Sequence, residues 1–169
     1  MNSLNIEIAQ YRNKSGANLE NDLKLIKSFF HGKLILNDYI SYIDLADGLH
    51  LGQQDLEAIH PNKCKAFEIV RKKIKNKIFG ISTHNLDEIY EANSFNLDYI
   101  GLGAYRKTET KKDIQGVYGN RLIEIAQESL HDVALIGGVK LSDFFDEKVI
   151  KYKVIGTDLF KKFINSKKY

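Results

Sequence analysis

The chain has 169 residues, with one cysteine, one proline and no tryptophan. A lone Cys64 excludes an intramolecular disulfide framework, so the fold rests on its core and the expected setting is a reducing cytoplasm. No apolar run approaches the roughly 20 residues of a membrane span, and no membrane association is expected. The opening MNSLNIEIAQYRN lacks the charged-then-apolar layout of a secretory signal. No proline-rich, serine-rich or low-complexity linker breaks the sequence, which argues for a single domain over residues 1–169. Arginine is scarce: only Arg12, Arg71, Arg106 and Arg121 occur, and the net charge of +3 is carried mostly by lysine. The densest basic run, RKKIKNK from Arg71 to Lys77, has Ile74 in phase with Phe67 and Val70. It reads as the solvated end of an amphipathic helix, and no nucleic-acid partner is expected. Length falls short of a complete eight-stranded β/α barrel, which takes about 250 residues and rarely fewer than about 200.

What is present is a regular alternation. Short β-branched or aromatic runs at Asn5–Arg12, Lys33–Asn37, Ala46–Leu51, Lys77–Ser82, Leu97–Leu102, Val133–Ile136 and Lys153–Gly156 predict seven strands. Several are nearly continuous apolar runs, such as KLIL and DVALI, as in strands covered on both faces by helices. Between them lie helical stripes: Leu19, Leu23, Ile26; Phe67, Val70, Ile74; Leu86, Ile89, Tyr90; Leu122, Ile125, Ala126, Ser129; Phe144, Phe145, Val149; and Leu159, Phe160, Phe163. Asn18 is the expected cap of the first helix, and Asn85 with Glu88 resembles a capping box on the third. Strand alternating with helix implies a parallel sheet. The six steps between Asn5 and Lys153 average about 25 residues, against about 31 for a barrel unit of typical length, so a compact barrel is allowed. An open doubly wound sheet is the competing architecture, but QYRNKSG follows the first strand where a glycine fingerprint would stand.

In parallel β/α folds the working residues gather at the carboxyl ends of the strands. The first strand end offers Gln10, Arg12 and Lys14 on one face, continuing from Ile6 and Ile8, an arrangement that suits a phosphate or diphosphate. Taken alone it reads better as an exposed edge strand with surface charges. The next two ends give Asn37 and Asp38, then HLGQQD with Asp55. Two carboxylates from adjacent strand ends could hold Mg²⁺, which takes one or two protein carboxylates and fills its shell with water and phosphate; singly, each is as well a cap or turn residue. His50, flanked by Leu49 and Leu51, reads as structural. KIFGIS ends at Ser82, followed by His84, and DYIGLG is followed by Thr108, Thr110 and Lys111 in TETK, a set able to bind diphosphate or to form a plain solvated loop. The glycines of IGG, ending at Gly138, and of IGT, ending at Thr157, offer backbone N–H groups to an anion after the last two strands.

In this order the residues resemble the thiamine phosphate synthase family, which includes the TenI-like thiazole tautomerases. QYRNK is similar to its Q-x-R-x-K strand, LILND to I-N-D, ADGLHLGQQDL to D-G-x-H-L-G-Q-x-D, and GISTHNLDE to G-x-S-x-H-x-x-x-E. DYIGLG with TETK resembles D-Y-x-G-x-G with T-x-T-K, and ALIGGV resembles A-I-G-G-I. The resemblance implies an α/β fold, a TIM-type β/α barrel that is incomplete, with seven parallel strands. It implies coupling of hydroxymethylpyrimidine diphosphate with thiazole phosphate to give thiamine phosphate and diphosphate, by Mg²⁺-dependent dissociative substitution. On that basis Asp38 and Asp55 would bind Mg²⁺, and Arg12, Lys14, Asn37, Thr108, Thr110 and Lys111 would surround the diphosphate. Gln10 would face the pyrimidine and Ser82 the departing group, with Lys111, Ser82 and Arg12 as the catalytic set. Gly138 and Thr157 would bind the thiazole phosphate. The partners implied are small phosphorylated molecules.

Two departures stand out. The family's Y-x-V-T-D-like strand and its helix have no counterpart ahead of QYRNK, so one β/α unit is expected to be missing and self-association is expected to cover the open strand edges. AYRKTETK stands where the synthases commonly carry P-I-F-P-T-x-T-K. The alternatives are a thiazole tautomerase, whose histidine after D-Y-x-G-x-G is replaced here by Ala104, and a non-catalytic binder of thiazole or thiamine phosphate.

Overall fold

The computed structural model describes residues 6–106 and 119–159. Seven strands and five α-helices alternate along them, in two compact units, Met1–Ile81 and Ser82–Tyr169. The first unit carries β1 (Ile8–Tyr11), β2 (Lys33–Asn37), β3 (Gly48–Leu51) and, up to Ile81, β4 (Ile78–Thr83), running parallel and paired in chain order. Registers such as Gln10 opposite Ile35, and Asn37 opposite His50 opposite Gly80, bring the carboxyl ends of these strands level. The continuous apolar runs behave as expected: Leu34, Ile35 and Leu36 of β2 and all of β3 are buried, so both faces of these strands are covered.

The helices bury most of the stripes their sequences spell out, whereas Tyr90 of the Leu86, Ile89, Tyr90 stripe is exposed. In α1 (Leu19–Phe29), Leu19 and Leu23 enter the core, with Glu20 and Asp22 in the first turn and Lys27 in the last, an order that suits the helix dipole. A 3₁₀ turn, Ile40–Leu45, and α2 (Gln53–Ile59) contribute Ile43 and Leu56. In α3 (Lys63–Ile74), Phe67, Val70 and Ile74 are buried, and the Phe67 ring meets Phe79 of β4 at 5.5 Å between centroids. Arg71 is half-buried, lying over the Phe79 ring and donating to the Lys77 carbonyl at 3.0 Å, while its neighbours Lys72 and Lys73 are exposed as expected.

In the second unit α4 (Leu86–Ala92), β5 (Tyr99–Gly103), α5 (Asn120–Ala126), β6 (Asp132–Ile136) and β7 (Tyr152–Lys153) continue the alternation. β5 runs parallel to β6, from Tyr99 opposite Asp132 to Gly103 opposite Ile136, and β6 parallel to β7. Only half of the expected capping box of α4 forms: Asn85 accepts from the Glu88 N–H at 2.9 Å, but the Glu88 carboxylate takes the N–H and ring of His84 instead of the Asn85 N–H.

Four expectations are corrected. Asn18 occupies the cap position of α1, yet it is left-handed (φ 58°) and its side chain makes no capping bond. β1 and β7 are shorter than Asn5–Arg12 and Lys153–Gly156. No helix forms over Phe144 to Val149. Asp143 accepts the Lys140 N–H and Asp146 the Lys148 N–H, so aspartates competing for local backbone donors close turns there, and Phe144 is left exposed. Phe160 and Phe163 of the last stripe lie outside the described residues.

Candidate functional site

In the first unit the strand ends converge on one polar group. β2 stays apolar up to Asn37, which is buried and takes a hydrogen bond from Gln10 Nε2 of the neighbouring β1 at 2.6 Å. Asn37 Nδ2 in turn donates to the Asp38 carboxylate. Asp38 turns the chain out of the sheet in a left-handed conformation (φ 77°), which aspartate tolerates better than most residues, and its N–H is held by the His50 carbonyl of β3 at 3.1 Å. A relay thus runs from Gln10 through Asn37 to Asp38, and the orientation of each amide is set by its neighbour.

Asp55 enters from the first turn of α2. Its Oδ2 accepts the Gly52 N–H at 2.8 Å, a position that also suits the positive end of the helix. It is in hydrogen-bonding contact with Asp38. Burial first, and then the charge of Asp55, push the Asp38 carboxyl above the ordinary carboxylate range; the Asn37 amide and the Arg12 guanidinium act the other way without cancelling them. Arg12 itself is exposed just past β1. Beyond it, Lys14 sits in a turn closed by Asn13, whose Oδ1 accepts from the N–H and hydroxyl of Ser15. The Tyr39 hydroxyl reaches the Lys14 carbonyl at 3.3 Å. Gln10, Arg12, Asn37, Asp38 and Asp55 are therefore gathered as the sequence suggested, whereas Lys14 is solvent-facing. His50 is buried in β3, in keeping with a structural role.

The pair fits a divalent cation. Two carboxylates in contact, one of them holding its proton too tightly, are relieved by a positive ion between them. Among the described residues no group of three or more His, Cys, Asp or Glu converges on a metal position. A two-carboxylate set suits Mg²⁺, which keeps water and phosphate in its shell, better than a closed zinc site.

In the second unit Ser82 is half-buried near the end of β4. Gly137 and Gly138 follow β6 with φ 89° and 71°, conformations that disfavour any side chain. A Cβ at Gly137 would lie 2.6 Å from that of Ala104, so the glycine is needed for space as well. Gly138 and Thr157 are both exposed. Thr108, Thr110 and Lys111 lie outside the described residues.

The sequence reading missed what holds the glycine loop. Arg106 forks onto Asp143, Nη1 to Oδ2 at 2.6 Å and Nη2 to Oδ1 at 2.9 Å, and Nη1 also donates to the Gly138 carbonyl at 2.7 Å. The hydrogen bond from Arg106 keeps Asp143 ionised down to about 2. The available signal was an arginine in a segment expected to be apolar, with acids in the LSDFFD stretch after the glycines.

Comparison with known proteins identifies the family. The family model described as thiamine monophosphate synthase matches residues 3–157. The chain belongs to that family. It is 38% identical over 130 residues to a thiamine-phosphate synthase of Clostridium botulinum, covering 73% of this chain and 56% of the relative. It is 33% identical over 147 residues to the thiamine-phosphate synthase of Persephonella marina, covering 82% and 66%. The chain thus spans between about half and two thirds of the length of these curated relatives. Among solved structures it is similar to a thiamine phosphate pyrophosphorylase from Pyrococcus furiosus, with TM-score 0.61 and 23% identity over 79% of this chain and 63% of that one. That likeness gives the fold of this thiamine monophosphate synthase family member: α/β, of the TIM type, with the seven parallel strands expected.

Proposed function

We propose that the chain joins hydroxymethylpyrimidine diphosphate to thiazole phosphate, forming thiamine phosphate and releasing diphosphate, with Mg²⁺ held by Asp38 and Asp55. The observation that carries this reading is the Asp38–Asp55 pair at adjacent strand ends, faced by Arg12, in a chain of this family. The bond from the pyrimidine methylene carbon to the diphosphate oxygen breaks, its electron pair leaving with diphosphate. The thiazole nitrogen then donates its lone pair to the methylene carbon. Bound at the two carboxylates, the ion would supply electrostatic stabilisation of the negative charge that grows on the departing group.

The side chains of the first unit do the rest of the work there. Arg12 adds a cation beside the leaving group, and Lys14 lies one turn out, where it can close on a bound diphosphate. Gln10, its amide oriented by Asn37, faces the pyrimidine. No protein nucleophile is required, because the leaving group departs before the new bond forms. In the second unit the loop at Gly138, with Thr157, takes the thiazole phosphate through backbone N–H groups and a hydroxyl. The family resemblance adds Ser82, Thr108, Thr110 and Lys111 as diphosphate-binding residues. Among the described residues no helix is long and apolar enough to cross a membrane, and the exposed thiol of Cys64 suits a reducing cytoplasm.

The test is to supply purified protein with Mg²⁺ and both substrates, and to follow thiamine phosphate and diphosphate together. Equal release of the two products is expected. Isomerisation of the thiazole without coupling would instead make the protein a tautomerase, although Ala104 offers no proton-transfer group where that enzyme carries histidine. Phosphate-ligand binding with no turnover would make it a binder.

A further inference from the structure

The segment that follows β5 is fastened to the loop that follows β6 by a run of bonds. Tyr105 N–H donates to the Ile136 carbonyl at 2.8 Å, Arg106 N–H to the Gly137 carbonyl at 2.8 Å, and Arg106 Nη1 to the Gly138 carbonyl at 2.7 Å. Three successive carbonyls therefore point toward Tyr105 and Arg106. A trans peptide plane sets each N–H opposite the carbonyl that precedes it, so the N–H groups of Gly137, Gly138 and Val139 face away from that segment. Among the described residues none of the three donates a hydrogen bond. Three successive backbone donors left without a protein partner can take an anion, and the carbonyl side of the same peptides is what Tyr105 and Arg106 grip.

Arg106 is not spare to bind a ligand. Both of its terminal nitrogens are engaged by Asp143, and its guanidinium lies over the Tyr105 ring at 4.5 Å. Asp143 is in turn fixed by the Lys140 N–H at 2.8 Å, two residues beyond Gly138 in the same loop. The ion pair thus spans the loop from its glycines to its far end.

We propose that Arg106, held by Asp143, is a positioning residue that sets the phosphate affinity of the Gly137–Gly138 loop. The inference rests on the reading of that loop as the thiazole phosphate site. Arg106 acts through the Gly138 carbonyl and touches no ligand itself. Its fork is essential, since lysine cannot reach Gly138 and both oxygens of Asp143 in one plane.

The experiment titrates Arg106→Gln, Arg106→Lys and Asp143→Asn with thiazole phosphate and with inorganic phosphate by calorimetry, alongside melting curves and steady-state kinetics. All three variants should lose about tenfold or more in affinity for thiazole phosphate, as is usual when a supporting partner is removed. KM for the thiazole should rise in step, while KM for the pyrimidine diphosphate stays within about twofold. Weaker binding in Arg106→Gln but equal or tighter binding in Asp143→Asn would overturn the proposal, because it would make Arg106 a direct ligand that Asp143 restrains. Lower melting temperatures with unchanged phosphate affinity would reduce the pair to a stabilising ion pair. A wild-type protein that binds neither phosphate would remove the anion site altogether, whereas one that binds thiazole phosphate but does not couple would sink the reaction and leave the clamp standing. If Arg106→Gln does not fold, Asp143→Asn, which keeps shape, decides.

Discussion

Just past β2 and in the first turn of α2, Asp38 and Asp55 stand in contact, so that one carboxyl holds its proton above the usual range. Beyond β6, Arg106 and Asp143 form a forked pair in which the carboxylate is held well below it. One region gathers like charge and is relieved only by something from outside. The other neutralises its charge internally and uses it to shape a backbone. The contrast separates two ways of placing charge: a carboxylate pair whose mutual repulsion costs stability, and an ion pair that holds a backbone loop in shape.

Removing the carboxylates should have the largest effect. Asp38→Ala and Asp55→Ala should each lower kcat/KM for coupling by roughly 10²–10³-fold or more, the scale seen when one main group stabilising a transition state is lost. Neither should unfold the protein, because Asp38 is a destabilising neighbour of Asp55 and the α2 cap is one bond among many. Turnover unchanged in both variants would withdraw the metal assignment. A matching loss of melting temperature would show that the pair is structural.

How much of this was legible in the sequence follows from how local each signal is. The strands of KLIL and IFGI, and the stripes of α1 and α3, repeat within a few residues, and burial follows that pattern. Asn37, Asp38 and Asp55 were legible because acids at strand ends are local features too, but the left-handed turn at Asp38 was not, since it depends on the His50 carbonyl across the sheet. Phe144, Phe145 and Val149 carry helical spacing that Asp143 and Asp146 defeat with turn bonds. The Arg106–Asp143 pair joins residues 37 apart, and no periodicity announces it.

A second, smaller effect tests the scaffolded region. Gly137→Ala would set a Cβ 2.6 Å from that of Ala104 and 2.7 Å from its Cα, on a backbone at φ 89°. Strain of that kind costs about 1–3 kcal/mol, measurable by urea unfolding, and it should be joined by weaker binding of thiazole phosphate. A neutral substitution would mean that the loop is free to move and that its shape is not imposed.

The smallest effect has opposite signs in the two regions. The folded state holds a proton on Asp38 at pH values where the unfolded chain has released it, so without metal, stability falls as pH rises from the ordinary carboxylate value through the raised one. Asp143 behaves in reverse: its carboxylate, held at about 2, adds stability that is complete above the ordinary value and is lost only as pH falls toward about 2. Melting curves in chelator between about pH 2 and 7 should therefore show a shallow decline above the ordinary carboxylate value that Asp38→Asn removes, and an acid limb that Asp143→Asn flattens. Adding Mg²⁺ should reverse that decline in the wild type, because ionised Asp38 then becomes a ligand, and should leave the acid limb alone. A decline that Mg²⁺ does not move would place the cation elsewhere, however well the two carboxylates suit it.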